Sequence, residues 1–313
     1  MVTSKITPTI SVIMPCFNAE NHLQSSISSI LEQTFSNFEL LIVNDGSTDK
    51  SISIAKSFND SRIKIINQNN QGVCNARNNA ISIASGEYIA FQDADDTWHK
   101  SCLDELYNAL KMHPDAVLAY CGWQNVGLPG PRGEPFIPPD YENENKLINL
   151  FENCLWPINA CLTKKRAIVD AGGFDKRFKT SEDYLLWLKI AKDQSIILVP
   201  KILAFYNHHG EAQATLNKSG MAINHLLAQQ SFLREYPYDE NKLSVEIQKK
   251  LMFDYLIKQG FDCYWNRELH HARIIFRIIM KSGYGDIKYW KYMLPALLPF
   301  KLHKYLVYLL ESK

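Results

Sequence analysis

The stretch "SVIMPCFNAENHLQSSISSILEQTFSNFELLIVNDGSTDKS", residues 11–51, decides the fold. It opens with a β-branched run typical of a buried strand, and Leu23, Ile27 and Ile30 then recur at helical spacing. A second apolar run, "FELLIV", follows, and the polar residues after it can cap another helix. Strand, helix and strand of these lengths predict a parallel βαβ unit with a right-handed crossover.

The same alternation continues on the C-terminal side of this stretch. Strands are predicted at "RIKIIN", "YIAF" and "AVLAYCG", and helices at "CNARNNAISIA" and "KSCLDELYNALKMH". A proline-rich loop at 128–141 precedes three helical segments and two strand segments, "SIILVP" and "ILAFYN". The pattern is helical and rich in aromatic residues from about residue 222 onward. We therefore predict an α/β domain, residues 1–220, with a mostly parallel wound sheet and helices on both faces, and a helical C-terminal region, residues 221–313.

Composition narrows the class of protein. The chain has 313 residues, of which 46% are hydrophobic, so it can bury a sizeable core, and its formal net charge of +1 gives no case for nucleic acid as a partner. The seven cysteines form no CxxC pair, which favours buried thiols in a reducing compartment over disulfides or a zinc site. No signal-peptide pattern opens the chain, and no run approaches the ~18 apolar residues of a membrane-spanning helix. These features predict a cytoplasmic location.

The C-terminal segment "YWKYMLPALLPFKLHKYLVYLL", residues 289–310, mixes apolar and aromatic residues with lysines. Residues 251–313 carry 10 Lys/Arg against 5 Asp/Glu, so this end of the chain is basic. Such a segment fits peripheral contact with the inner face of the cytoplasmic membrane, where basic residues meet anionic lipids. It equally fits ordinary helical packing on the rest of the protein.

Polar side chains collect where the predicted strands end. In open α/β sheets, ligands bind outside the carboxyl ends of the strands, and the first four strands end in "PCFNAE", "NDGSTD", "NQNNQG" and "QDADD". Phe17 offers a flat aromatic face, Asn18 an amide and Asp45 a carboxylate that can accept from an N–H, while Arg77 adds a cation. Neither a G-x-G-x-x-G motif nor a P-loop is present. The set suits a nucleoside diphosphate whose phosphates need neutralising.

The stretch "FQDADD", residues 91–96, places three carboxylates in four positions directly after an apolar run, at Asp93, Asp95 and Asp96. A solvated turn is one explanation, because Asp is common in turns. The other is a hard divalent cation bound between the carboxylates. The spacing alone leaves both explanations open.

Five motifs in order resemble the inverting family 2-type nucleotide-sugar glycosyltransferases of bacterial polysaccharide biosynthesis, a family that includes cellulose and hyaluronan synthases. They are the opening stretch, "NQGVCNARNNAI", "GEYIAFQDADD", "GGFDKRF" and "SEDYLLWL". The resemblance covers residues 9–215 and leaves out the C-terminal region. It implies a Rossmann-like GT-A fold. It also implies metal-dependent transfer of a hexosyl or N-acetylhexosaminyl group from a nucleotide-sugar, UDP-sugar foremost, to a hydroxyl of a cell-surface glycan or lipid-linked saccharide.

The resemblance also assigns a metal site. The family's Asp-x-Asp motif, which holds Mn²⁺ or Mg²⁺ on the donor diphosphate, falls on Asp93, Ala94 and Asp95. The family often shows Tyr-Arg-x-His after the last strand, and this chain has "YNHH" there. His209 therefore matches the histidine and joins Asp93 and Asp95 as a predicted metal ligand. Asn207 replaces the arginine, so the resemblance supplies no diphosphate cation at that position.

The remaining predicted site residues follow from the other motifs. The family's catalytic base lies in a Glu-Asp pair at the start of a later helix, here Glu182 and Asp183, and the second residue is assigned as the base. The aromatic residue that faces uracil falls on Phe17, and the base-reading aspartate on Asp45. The full predicted donor-binding set is Pro15, Phe17, Asn18, Glu20, Asp45, Gly72, Arg77, Asp93 and Ala94.

Several of these residues have a structural alternative. Ser181 could cap a helix and make Glu182 an ordinary first-turn acid, and Phe17 could belong to the core. Arg77 could form a surface ion pair, and His209 could lie in a solvated turn.

The sequence leaves two alternative functions. A sugar-nucleotidyltransferase would need a basic, glycine-rich first loop, which "PCFNAE" is not, and a non-catalytic glycan-binding relative would not need the acidic residues that are intact here.

Overall fold

The computed structural model describes residues 7–210, 216–236 and 243–311. The chain divides into two compact units, Met1–Gly210 and Glu211–Lys313. The last residues covered by the resemblance, 211–215, lie outside the described residues. The division at residue 220 into a catalytic and a C-terminal part concerns function and stays a prediction.

An eight-stranded mixed sheet forms the centre of the first unit, in the order β3-β2-β1-β4-β7-β6-β8-β5. β3, β2, β1 and β4 are parallel neighbours, and β6 runs parallel to β8. β7 is antiparallel to both β4 and β6, and β5 is antiparallel to β8. The predicted α/β class and wound sheet are confirmed. The strands are β1 Ile10–Cys16, β2 Phe38–Asp45, β3 Ile63–Gln68, β4 Tyr88–Phe91, β5 Thr97–Trp98, β6 Ala116–Val126, β7 Cys161–Lys164 and β8 Ser195–Asn207.

Helices connect these strands and make up most of the described part of the second unit. In the first unit they are α1 Leu23–Leu31, α2 Ser51–Ser57, α3 Val73–Ile83, α4 Cys102–Met112, α5 Lys146–Glu152, α6 Lys165–Asp170 and α7 Glu182–Ala191. In the second unit they are α8 Lys218–Glu235, α9 Val245–Trp265, α10 Leu269–Ser282, α11 Ile287–Met293 and α12 Phe300–Glu311.

The sheet differs from the sequence prediction in two respects. β5 and β7 were not predicted, because strands of two and four residues are too short to show a periodic pattern. The two predicted strands "SIILVP" and "ILAFYN" are one strand, β8, which bulges where its register with β6 shifts beside Gly122. A Cβ at Gly122 would lie 2.7 Å from the Ile202 side chain and 2.9 Å from the Lys201 carbonyl oxygen, so glycine makes room for the bulge.

The core of the first unit lies around β1 and β2. Every residue of β2 is buried, as the continuous apolar run predicts for a strand covered on both faces. All seven cysteines are buried thiols, which agrees with their placement in apolar segments.

Two acidic side chains are buried in this sheet with their partners. Glu39 accepts from Ser11 Oγ at 2.7 Å, and Asp45 lies at the carboxyl end of β2.

The second unit has its own apolar core. Ile275 and Phe276 of α10 are fully buried against α9, where Gly260 has no Cβ to obstruct the Phe276 ring. The C-terminal segment contributes Met293 and Val307 to this core, so part of it packs as ordinary helical core. None of the helices in the described ranges has the length and apolar composition needed to cross a bilayer.

Candidate active site

The loops that follow β1 and β2 hold each other by hydrogen bonds. Asn18 has a left-handed backbone, with a φ of 49°, and its Oδ1 accepts from the Thr48 N–H at 2.8 Å. The Asn18 N–H donates to Ser47 Oγ at 3.1 Å. Glu20 Oε2 accepts from the Lys50 N–H at 2.9 Å. Asn18 and Glu20, both predicted to bind the donor, therefore hold the loop after β1 against the loop after β2.

Phe17 precedes this loop and is 51% exposed. An aromatic side chain that is half exposed does not belong to the core, so the core alternative for Phe17 is wrong. Pro15, two residues earlier, is half-buried and pairs with Val43 of β2. The structure thus presents an open aromatic face at the end of β1 on a backbone fixed by the sheet.

Asp45 lies at the end of β2 and is 4% exposed. Its Oδ1 accepts from Gln68 Nε2 and from the Gln71 N–H, both at 2.8 Å, and its Oδ2 accepts from the Gly72 N–H at 2.8 Å. Gly72 has a φ of 86°, which glycine adopts without strain, and it is the N-cap residue of α3. Because a carboxylate offers about four acceptor positions, these three bonds leave one for a ligand.

Arg77 links α3 to the turn after β4 and to the start of α7. Its side chain is 3% exposed, Nη2 lies 2.7 Å from Asp93 Oδ1, and Nη1 lies 2.8 Å from Glu182 Oε1. Burial alone would lower the pKa of the guanidinium, but the two carboxylates outweigh burial and raise it. Arg77 is a buried cation between two acids, so the surface-pair alternative is wrong.

Glu182 and Asp183 begin α7. The preceding residue, Ser181, has a left-handed backbone with a φ of 63°, and its side chain forms no capping hydrogen bond, so the capping alternative is not observed. Glu182 is buried on Arg77, whereas Asp183 is half-buried and accepts from the Tyr184 N–H at 2.8 Å. Burial, and then the charge of Glu182, raise the pKa of Asp183 to about 7. A carboxyl group with this pKa can take up or release a proton near neutral pH.

The acidic turn after β4 is anchored from several sides. Ser26 Oγ lies 3.0 Å from the Asp93 carbonyl oxygen and 2.7 Å from that of Asp96. Asp96 is almost fully buried, and its carboxylate accepts from the Asn207 N–H and from Asn159 Nδ2, both at 3.0 Å. Burial raises the pKa of Asp96 well above its ordinary value. Asp96 therefore holds the turn in place, and Ala94 is buried inside it.

Asp95 and His209 meet on the other side of the turn. Asp95 Oδ2 lies 3.1 Å from His209 Nε2, and the His209 ring stacks on the His22 ring with centroids 4.0 Å apart. Asn207, which stands where the family often has arginine, donates from Nδ2 to the Asp95 carbonyl oxygen at 2.8 Å. His209 is largely covered, which does not fit the solvated-turn alternative.

A carboxylate and an imidazole are suitable ligands for Mn²⁺, so Asp95 and His209 fit a divalent cation as a pair. The described residues contain no group of three or more His, Cys, Asp or Glu side chains arranged to hold one. Asp93, the third predicted ligand, is engaged with Arg77 instead. A cation at Asp95 and His209 would thus need further ligands from elsewhere.

Two contributors to the site were missed in the sequence. His22 lies in the polar loop after β1, where an imidazole at a strand end could have marked it as a site residue. Asn159 gave no signal, because its contact with Asp96 spans 63 residues of sequence.

Comparisons with known sequences identify relatives. A sequence profile described as "Glycosyl transferase family 2" matches residues 11–160. UDP-Glc:alpha-D-GlcNAc-diphosphoundecaprenol beta-1,3-glucosyltransferase WfgD of Escherichia coli is 37% identical over 188 residues, which cover 60% of this chain and 71% of that protein. An uncharacterized glycosyltransferase of Haemophilus influenzae is 30% identical over 271 residues, 82% of this chain and 76% of the relative.

Solved structures share the fold. TarS 1-349 of S. aureus in complex with UDP-GlcNAc has a TM-score of 0.56 at 18% identity, covering 92% of this chain and 87% of the TarS 1-349 chain. The mannosyltransferase PcManGT of Pyrobaculum calidifontis, in complex with GDP-Man and Mn2+, has a TM-score of 0.60 at 18% identity, covering 97% of this chain and 84% of that one. At this level of identity the likeness concerns the fold.

Proposed function

The chain belongs to glycosyl transferase family 2 and is a glycosyltransferase with a GT-A fold, and we propose that it transfers a sugar from a UDP-sugar to a hydroxyl of a lipid-linked saccharide with inversion at the anomeric carbon. The sugar is a hexosyl or N-acetylhexosaminyl group. One observation carries the proposal: Asp183, with a pKa of about 7, lies beside the buried Arg77–Glu182 pair at the start of α7. This arrangement supplies one proton acceptor, which is what single-displacement inversion requires.

In the proposed reaction, the acceptor hydroxyl gives its proton to the Asp183 carboxylate as its oxygen attacks the anomeric carbon. A bond forms from that oxygen to the anomeric carbon, the bond from the carbon to the diphosphate breaks, and the nucleoside diphosphate leaves with the electron pair. Arg77 neutralises Glu182 and Asp93, while the charge on Asp183 is only partly compensated, so Asp183 is a stronger base than an ordinary aspartate.

Asp95 and His209 are the residues that would hold Mn²⁺ or Mg²⁺ in this proposal. A bound cation supplies stabilisation of the negative charge that grows on the departing diphosphate. Asp93 pairs with Arg77 through Oδ1, and its second carboxylate oxygen could serve as a further ligand.

The donor assignment is supported by Phe17 and Asp45. The exposed Phe17 ring offers a stacking face, and the free acceptor position on Asp45 suits an N–H on the edge of uracil. The TarS structure contains UDP-GlcNAc, and the name of WfgD gives UDP-Glc as its donor and a sugar diphosphoundecaprenol as its acceptor. Both support a UDP-sugar and a lipid-linked saccharide in bacterial polysaccharide biosynthesis. The GDP-Man in PcManGT marks the alternative donor.

The test is a transfer assay on the purified protein. UDP-glucose, UDP-GlcNAc and GDP-mannose are each supplied with a synthetic GlcNAc-diphospholipid, with and without Mn²⁺, and both free nucleotide and product are measured. We expect UDP release that depends on the acceptor, and a β-linked product from the α-linked donor, identified by NMR. A product of retained configuration, a preference for GDP-mannose, or the absence of transfer would each contradict the proposal.

Metal binding has a separate test. Calorimetry with UDP, in the presence and absence of Mn²⁺, should show that the cation tightens UDP binding to the wild type and not to Asp95→Ala. An unchanged effect of Mn²⁺ in Asp95→Ala would exclude Asp95 as a ligand.

A further inference from the structure

Helix α12 packs one side on the second unit and exposes the other. His303 and Val307 are buried, whereas four apolar or aromatic residues are between 40% and 71% exposed. At about 100° per residue, these four side chains lie within about 120° of one another around the helix. They therefore form one exposed face rather than scattered positions. Its residues are Leu302, Tyr305, Tyr308 and Leu309.

The turn before α12 exposes two further leucines. Leu294 and Leu297 are 47% and 54% exposed in a short 3₁₀ segment. The backbone of that segment is fixed by α10, because Arg273 Nε and Arg277 Nε donate to the Ala296 carbonyl oxygen at 3.0 and 2.8 Å. The two leucines are thus displayed on an anchored turn.

The surroundings of this face are positively charged. Residues 287–310 contain four lysines and no aspartate or glutamate. Lys301 and Lys304 are exposed on α12, Lys301 within the arc of these four residues and Lys304 about 40° beyond it. Lys304 Nζ lies 4.9 Å from the centre of the Phe300 ring. On α11, Lys291 is exposed, and Lys288 is exposed and paired with Asp286 at 3.1 Å. We call the two leucines of the turn, the four apolar residues of α12, Lys301 and Lys304 the basic apolar face.

The charge indicates what covers this face. A symmetric contact with a second copy would place the same patch on both partners and bring their lysines together, and such like-charge contacts are costly. Anionic lipid headgroups would instead neutralise the lysines, while leucine and tyrosine side chains enter the boundary between headgroups and acyl chains. We propose that the basic apolar face docks on an anionic lipid bilayer, with α12 lying in the plane of its surface.

This inference is independent of sugar transfer, and its test has no enzymatic readout. The full-length protein is sedimented with phosphatidylcholine vesicles that contain phosphatidylglycerol, and with vesicles of phosphatidylcholine alone. We expect binding to the anionic vesicles, weaker binding to the neutral ones, and a decrease as NaCl is added, because salt screens the lysines.

Two pairs of variants separate charge from apolar contact. The double variant Lys301→Glu/Lys304→Glu should bind anionic vesicles at least about 30-fold more weakly, since each basic residue near the surface contributes about fivefold. Its control, Lys56→Glu/Lys111→Glu, makes the same change in net charge at exposed positions of the first unit.

The apolar pair is Leu302→Asp/Leu309→Asp, which should reduce binding at least about tenfold through lost burial and added repulsion. Its control, Met112→Asp/Val169→Asp, replaces two apolar side chains that are 72% and 56% exposed in the first unit. The residues substituted in the four variants are all exposed. The unfolding temperature of each variant should therefore be close to that of the wild type.

Three outcomes would overturn the proposal. The first is a full-length protein that does not sediment with anionic vesicles. The second is equal binding by the face variants and their controls. The third is a dimer in solution that Leu302→Asp/Leu309→Asp dissociates while vesicle binding is unchanged, which would assign the face to a second copy.

Discussion

Asp45 and Asp183 are two carboxylates of the proposed active site, and their surroundings are opposite. Asp45 accepts three hydrogen bonds from the residues that lead into α3. Asp183 is close to the negative charges of Glu182 and Asp93, and burial together with Glu182 raises its pKa to about 7. N–H donors from a neighbouring loop hold the Asp45 carboxylate in place. Burial and nearby negative charge raise the pKa of Asp183, which suits the base proposed for it.

Arg77 sets the boundary between the two surroundings. Its guanidinium neutralises Glu182 and Asp93 through direct ion pairs, and it acts on Asp183 only at longer range. Substitution of Asp45 should therefore change the affinity for the donor. Substitution of Asp183 should instead change the rate of transfer.

Asp183→Asn should have the largest effect. The amide keeps the shape of the carboxylate and cannot accept the proton, so kcat should fall about 10²- to 10⁴-fold while the Kd for the UDP-sugar stays unchanged. Steady-state rates and calorimetry measure the two quantities. Glu182→Gln is the matched control and should reduce kcat less. Near-wild-type transfer by Asp183→Asn would place the base elsewhere.

Arg77→Met should destabilise the first unit strongly. Removing a buried cation leaves Glu182 and Asp93 unpaired, which typically costs about 3–5 kcal/mol of unfolding free energy. Urea unfolding measures the change. Arg166→Met removes an exposed pair with Asp170 and should cost no more than about 1 kcal/mol. Equal losses in the two variants would mean that burial of the Arg77 cluster has no energetic consequence.

Asp45→Asn should show the reverse of Asp183→Asn. The amide nitrogen of the asparagine would face one of the two backbone N–H groups that now donate to Asp45, and two donors cannot bond each other. About 1–3 kcal/mol of unfolding free energy should therefore be lost. UDP binding, measured by calorimetry, should weaken while kcat at saturating donor changes little. A variant with normal UDP affinity and low kcat would break the division of roles between the two acids.

His22 should have the smallest effect. Its ring stacks on His209, and such a contact is worth about 0.5–1.5 kcal/mol, so His22→Ala should weaken Mn²⁺ binding in the presence of UDP by a few-fold. His22→Phe retains a stacking ring and should restore most of the affinity. Equal Mn²⁺ affinity in both variants and the wild type would show that stacking does not position His209.

The sequence predicted long, regular segments of the fold well. β1 and β2 are continuous buried runs, so pattern alone places them. Pattern could not place β7, whose four residues pair with strands distant in sequence.

The site shows the same limit. The strand-end rule brought Phe17, Asp45 and the acidic turn to one edge of the sheet, but the Arg77–Glu182 pair joins residues 105 positions apart. No local pattern reports such a pair, and the family resemblance named Glu182 without its partner. The raised pKa of Asp183 depends on that three-dimensional grouping and was beyond prediction from sequence.

The pH dependence of kcat/KM tests the central claim, that Asp183 is the base, most directly. The acid limb of this profile reports the free enzyme. Because a raised pKa keeps Asp183 protonated until the pH reaches about 7, the account predicts that kcat/KM rises with pH through about 7 and then levels, and that Asp183→Asn lacks this limb. A limb near the ordinary aspartate value of about 4, or the same limb in Asp183→Asn, would contradict it.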